Sequence, residues 1–200
     1  MSKVFAKDQG QDFGRWPDAT SRLMYHHVMP VLLSEVNSSR GVIDLGGANG
    51  LLREFVDSEV LTVDIDPTKG PDIVADARTW EPARTPTAAG LVVMRYLLHY
   101  LTDNDARALF QHVRSWHRGT LLVIQFANEW PDMKAKRASS LNETAVFRTP
   151  EAIEALFGPW RVKDRKRIDY TVRREFYINR LGNPAGQEHG ESVFGWTLEP

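Results

Sequence analysis

The chain has 200 residues, a formal net charge of −1 and no cysteine. That length supports one domain with its own core. The charge gives no general attraction to nucleic acid or to an anionic membrane, and the missing thiols exclude disulfides, thiolate zinc sites and cysteine nucleophiles. No apolar segment follows Lys3 to Gln9 and no run approaches a membrane span, so a soluble, cytoplasmic protein is expected.

Residues 1 to about 20 are polar, with a turn at Phe13-Gly14-Arg15-Trp16-Pro17-Asp18. From Thr20 or Ser21, the residues Leu23, Met24, His27, Val28, Val31, Leu32 and Val36 recur at helical spacing. Pro30 predicts a kink or two shorter helices there, and Asn37 to Gly41 ends the pattern.

Strands and helices then alternate. Val42 to Leu45 reads as a strand, Leu51 to about Val56 as a short helix, and Val60 to Ile65 as a second strand. Asp66-Pro67-Thr68-Lys69-Gly70-Pro71 cannot hold a helix, so the second crossover is nearly deleted. Asp72 to Asp76 is a short third strand and Gly90 to Met94 a fourth. Thr102-Asp103-Asn104-Asp105 has capping-box spacing, with Asp in place of Glu or Gln, and opens a helix that Gly119 stops. Leu121 to Phe126 is a buried strand, and a polar segment runs from Asn128 to about Arg148. Thr149-Pro150-Glu151 starts a short helix ending at Gly158-Pro159. Trp160 to about Tyr170 and Thr171 to about Asn179, with no helix between them, are expected to pair antiparallel. The tail from Gly182 regains Val193, Phe194, Trp196 and Leu198, so it is expected to pack back. The whole predicts an open α/β sheet in a single domain. Residues 1–40 form a helical N-terminal cap or lid, 41–181 the α/β core and 182–200 the tail.

Ligands of such sheets bind outside the carboxyl ends of the strands. The first strand offers Asp44 and the turn Gly46-Gly47-Ala48-Asn49-Gly50, where residues without side chains let backbone approach a ligand. A carboxylate in Asp44's place suits a ligand with positive charge and hydrogen-bond donors. Asp64, twenty residues on, stands at the distance of a ribose-diol acceptor, and Asp76 is placed to accept from an adenine amine. Met94, Arg95 and Tyr96 end the fourth strand at the same edge. These positions describe a nucleoside with an amino-acid-like end. No frame of the turn supplies the Gly-x-Gly-x-x-Gly of nicotinamide enzymes, and the Gly-Lys-Ser/Thr of a P-loop is absent.

Together these motifs resemble those of class I S-adenosylmethionine-dependent methyltransferases, with similarity from about Val42 to Arg180. Asp44-Leu-Gly46-Gly-Ala48-Asn-Gly50 is similar to that family's glycine signature, with Ala48 replacing the middle glycine and expected to exclude a strongly positive φ. The resemblance implies a Rossmann-like open sheet, mostly parallel with an antiparallel last strand and helices on both faces. It implies S-adenosylmethionine as cofactor, held by Asp44, Gly46, Gly47, Ala48, Gly50, Asp64, Ile65, Asp76, Ala77, Met94 and Arg95, with Ile65 on the adenine and the Ala77 amide at the ring edge. Leu98-His99-Tyr-Leu-Thr-Asp103 is similar to the small-molecule branch, in which the matching histidine is a general base in some members and not in others.

Methyl transfer from a sulfonium needs positioning and exclusion of water. Phe13, Trp16, Tyr25 and His26 or His27 are therefore candidate lid or substrate contacts, with Tyr96 beside them, or else they anchor the helix on the sheet. No metal is called for. The expected activity is methylation of a hydroxyl or nitrogen on a small biosynthetic intermediate. The competing readings are a nucleic-acid base methyltransferase, from the cations Arg161, Lys163, Arg165, Lys166, Arg167, Arg173 and Arg174, and an inactive cofactor-binding partner.

Overall fold

Short apolar runs bounded by Gly, Pro and Asp become strands, and the residues after each run decide how the chain returns. The computed structural model describes residues 29–33, 41–83, 90–127, 146, 148–172 and 189–200. Its strands are β1 (Val42–Leu45), β2 (Val60–Asp64), β3 (Ile73–Val74), β4 (Leu91–Arg95), β5 (Thr120–Phe126), β6 (Arg161–Val172) and β7 (His189–Glu199). They form one seven-stranded sheet in the order β3-β2-β1-β4-β5-β7-β6. The first five run parallel, while β7 is antiparallel to both β5 and β6. The order reverses between β1 and β4, where sheets of this kind open a crevice at the strands' carboxyl ends.

Successive side chains in a strand point to opposite faces, and the core divides accordingly. Ile43, Leu45, Val92, Met94, Leu121 and Val123 join Phe194, Trp196 and Leu198 in one layer. This layer is covered by α2 (Asp103–Trp116) and by the region of α3 (Pro150–Glu154), after a first helical segment α1 at residues 29–33. Ala106, Leu109, Phe110 and Val113 are the buried face of α2, each larger side chain contributing about 1.5–3 kcal/mol on burial. Val42, Val60, Leu91, Val93, Leu122, Ile124 and Val193 form the opposite layer, under Met29 and Leu32 of α1 and Leu51 and Leu52. Helices thus flank both faces of a Rossmann-like sheet.

The caps read from sequence are in place. Thr102 Oγ1 accepts from the Asp105 amide at 3.2 Å, and Thr149 Oγ1 accepts from the Ala152 amide at 3.2 Å with Pro150 behind it. The Asp105 carboxylate accepts from the Thr102 hydroxyl at 2.7 Å, in place of the longer reach a Glu would make to the backbone.

Five expectations are corrected. The run after β1 is one 3-10 turn, Leu51–Glu54, because Gly50 enters it left-handed and Phe55 leaves the helical region. The Asp66–Pro71 stretch does hold a single 3-10 turn, Pro67–Lys69, whose N-cap Asp66 accepts from the Thr68 amide at 2.9 Å. β3 is two residues long, since Asp72 is drawn to β2, accepting from the Thr62 amide at 2.7 Å. α2 ends at Trp116, before Gly119, because His117 turns extended. Finally, β6 runs unbroken through Thr171 to Val172, and its antiparallel partner is β7 rather than residues 171–179. No Gly, Pro or Asn interrupts Asp169 to Val172, so nothing turns the chain there. The C-terminal segment is an integral strand, with Phe194, Trp196 and Leu198 alternating into the first layer. No helix among the described residues is long and apolar enough to cross a membrane.

Candidate active site

The glycine turn follows β1 directly and is bonded to β2 beside it. Gly46 and Gly47 both donate to Val63 O of β2, at 2.8 and 3.3 Å, and Gly50 donates to Gly47 O at 3.0 Å. Gly46 and Gly50 take φ of +73 and +71. Gly47 is required for space: a Cβ there would lie 2.5 Å from Asp44 Oδ2 and 2.7 Å from Thr62 Cγ2. Ala48 takes a φ of +48, which corrects the expectation that alanine excludes this region. Its amide is held by Asp64 Oδ2 at 2.9 Å, and that charge-assisted bond offsets the left-handed strain.

Asp44 does not face outward. It is fully buried, and Arg95 donates to both of its oxygens, Nε to Oδ1 at 3.1 Å and Nη2 to Oδ2 at 2.7 Å. Arg95 Nη2 also donates to Gly47 O at 3.1 Å. Burial, with the charge of Asp64, pushes the Asp44 carboxyl up, and burial brings the Arg95 guanidinium down to about 10. The carboxylate read as an acceptor for a cationic ligand is therefore satisfied inside the chain, and it braces the turn from below. Thr62 Oγ1 lies under the same turn, buried and without a hydrogen-bond partner.

Asp64 presents a different picture. Each oxygen accepts one backbone amide, Oδ2 from Ala48 and Oδ1 from Asp66 at 2.8 Å. A carboxylate oxygen has a second lone pair, so two acceptor sites, side by side, remain for a pair of hydroxyls. Ile65 follows it and is 38% exposed, an apolar surface beside the carboxylate.

Asp76 is clamped by its neighbour. Arg78 Nε lies 3.0 Å from both oxygens and Nη2 lies 2.6 Å from Oδ2, while the Arg78 amide donates to Oδ1 at 2.9 Å. Burial acts to raise this carboxyl, but the hydrogen bonds and charge of Arg78 outweigh it and lower it. Ala77 is buried in the first core layer. Met94 is 1% exposed in the same layer, so its side chain is unavailable to a ligand.

Beyond β4 the chain turns sharply. Tyr96 takes a φ of +51, its amide donates to Ile124 O at 2.8 Å, and its ring stacks on Phe126 with centroids 4.6 Å apart. Leu98–Tyr100 is a 3-10 turn. Its His99 ring lies 3.9 Å from that of Tyr100 and its Nδ1 lies 3.1 Å from Gln125 Nε2. Burial, with the charge of Asp64, pushes the Tyr100 phenol up to about 12, so it stays a donor at neutral pH.

Three residues here were missed in sequence. Gln125 is 3% exposed, and an amide inside the apolar run Leu121–Phe126 is the signal that marks it. Arg148 is buried within the stretch read as polar: it donates to Leu98 O and Leu101 O, each at 2.7 Å, and to Asp103 Oδ1 at 2.8 Å. The Val146 amide donates a hydrogen bond to His99 O at 2.8 Å. The third is Tyr100. Phe13, Trp16, Tyr25, His26 and His27 lie outside the described residues.

No family model matches the chain, and no curated protein matches it. Solved structures do resemble it in fold. A SAM-dependent methyltransferase from Anabaena variabilis superposes with a TM-score of 0.60 at 15% identity, over 88% of this chain and 84% of that one. A protein from Pyrococcus horikoshii gives 0.63 at 14% identity, over 90% and 91%. Mitomycin 7-O-methyltransferase gives 0.55 at 14% identity, over 92% of this chain and 58% of its own.

Proposed function

We propose that this protein transfers the methyl group of S-adenosylmethionine to a small molecule. The observation that carries the reading is Asp64: a carboxylate with one lone pair left on each oxygen, flanked by exposed Ile65 and tied to the glycine turn. A ribose diol and an adenine ring meet those two surfaces. The amides of Gly46, Gly47, Ala48 and Gly50 are all bonded within the chain, so the turn is not a cradle for phosphate, which counts against a nucleotide or dinucleotide. The likeness in fold to SAM-dependent methyltransferases supports the same cofactor.

Bound S-adenosylmethionine supplies a methyl group already electrophilic on a sulfonium, so the protein's part is placement and exclusion of water. Asp64 and Ile65 orient the nucleoside. Arg95, by holding Asp44 and Gly47, keeps the turn where the methionine end would rest. Tyr96 stacked on Phe126 gives the acceptor an aromatic wall, on the layer that α1 also covers. That shared layer supports α1 as part of a cap over the acceptor side.

A nucleic-acid substrate is the poorer fit. Arg161 and Lys163 pair with Glu199, Arg165 with Glu154, and Arg167 with Asp169, so the cations of β6 are matched within the chain. Calorimetry with S-adenosylhomocysteine tests the proposal: one site is expected, weakened at least about tenfold by Asp64→Asn, with ATP and NADH giving no heat. Silence from S-adenosylhomocysteine at high protein concentration overturns it.

A further inference from the structure

The hydrogen bonds of Gln125 settle which way its amide points, and that in turn settles a proton on His99. A backbone N–H can only donate, so the Gln125 atom 3.2 Å from Leu98 N is the carbonyl oxygen Oε1. The other end, the NH2, then faces His99 Nδ1 at 3.1 Å. An amide NH2 only donates, so Nδ1 must accept with a lone pair. A neutral imidazole with an unprotonated Nδ1 carries its proton on Nε2.

We propose that Gln125 is a positioning residue that locks His99 in the Nε2–H tautomer, so that His99 is a hydrogen-bond donor and not the base in methyl transfer. The lock is rigid from both sides. Gln125 is buried in β5, where it pairs with Phe194 of β7. Flipping its amide would set NH2 against the Leu98 N–H, losing that bond and leaving a buried backbone donor unpaired. The turn bearing His99 is held by Arg148 on Leu98 O and Leu101 O and by the Val146 amide on His99 O. A proton on Nδ1 would set two donors against each other at 3.1 Å, so the doubly protonated ring that a base must become cannot keep this contact.

The inference rests on the methyltransferase reading and narrows its substrate. Without a base at His99, the acceptor is one whose nucleophilic pair is already free, and the Nε2–H favours an oxygen anion, a carboxylate or an acidic phenolate, over an uncharged nitrogen, whose single pair that hydrogen bond would occupy. That oxygen's electron pair forms the bond to the methyl carbon, the C–S pair stays on sulfur to leave a neutral thioether, and no proton is passed to the chain. A carboxylate or phenolate oxygen also accepts well from an imidazole N–H.

Long-range nitrogen–proton correlation NMR on the full chain, labelled with nitrogen-15 in histidine, tests the lock without needing cofactor or substrate. The His99 signals among the six histidines are identified by their loss in His99→Asn. At neutral pH, Nδ1 is expected to show the shift of an unprotonated, pyridine-type nitrogen and Nε2 that of a protonated, pyrrole-type one. Gln125→Glu keeps the acceptor for Leu98 N–H but turns a second acceptor toward the ring, so the two shifts should exchange. A protonated Nδ1 in the wild-type protein overturns the lock and the acceptor class drawn from it. So does an unchanged tautomer in Gln125→Glu when its amide spectrum is otherwise native. Failure of S-adenosylhomocysteine to bind, with the tautomer as stated, would instead strike only at the methyltransferase reading.

Discussion

Arg95 and Asp44, on the adjacent strands β4 and β1, meet through two hydrogen bonds with neither side chain more than 8% exposed. An ion pair so deep adds little net stability over an apolar pair of the same size, yet breaking it is costly, because the remaining charge has no water. Arg95→Met is therefore expected to lose about 3–5 kcal/mol in urea unfolding. Asp44→Asn combined with Arg95→Met should lose clearly less than the two single losses added. Additive losses would mean that the two groups act independently.

Ala48 holds a conformation that glycine adopts freely. Ala48→Gly is expected to gain about 0.5–1 kcal/mol, the left-handed strain relieved exceeding the added freedom of the unfolded chain. Ala48→Val should lose at least about 1 kcal/mol, since a β-branched side chain crowds that region further. Thermal midpoints of the three proteins check the order, and a destabilised glycine variant contradicts it.

Acid unfolding probes Asp76. Its carboxyl is lowered in the folded protein, so the stability it contributes is complete above the unfolded carboxylate range and is lost as pH falls through the folded value. Arg78→Met should cost about 1 kcal/mol at neutral pH, the salt bridge being partly exposed. At pH low enough to protonate Asp76 in both states, the wild type and variant curves should converge. A gap that stays constant down to that pH would assign the loss to packing of the Arg78 stem.

Gly195 of β7 lies beneath α1, where an added Cβ would come within 2.8 Å of Leu32 Cδ1 and closer still to Cδ2. Gly195→Ala is expected to destabilise by about 1–3 kcal/mol through overpacking. Leu32→Ala alone opens a cavity, but in combination with Gly195→Ala the two changes should partly compensate. A double-mutant cycle with no coupling would show that α1 does not rest on this strand in solution.

Much of this was legible beforehand because the first five strands are apolar runs with Gly, Pro or Asp at their ends. Asp64 was placed by its spacing from Asp44. What escaped needed the third dimension. Gln125 and His99 are 26 residues apart and meet only when β5 lies beside β4, and Arg148 reaches back 50 residues to Leu98. Ala48 was misjudged because a tertiary bond from Asp64 overrides its intrinsic preference. β7 was underestimated because Gly190 and Gly195 dilute its alternation, and only the packing of Leu32 explains why the second of them is a glycine.

The placing of β7 between β5 and β6 bears on how the chain is made. A ribosome delivers β5 first, then β6, and only after them the segment that joins the two. At about 5–20 residues per second, the apolar edge of Leu121–Ile124 waits several seconds for its antiparallel neighbour. Once made, β6 too lacks the partner that will seat it in the sheet until β7 emerges. An unpaired apolar edge is a template for foreign strands. Its repeated charges, from Arg161 to Asp169, keep β6 from serving as a second one while the nascent chain is exposed.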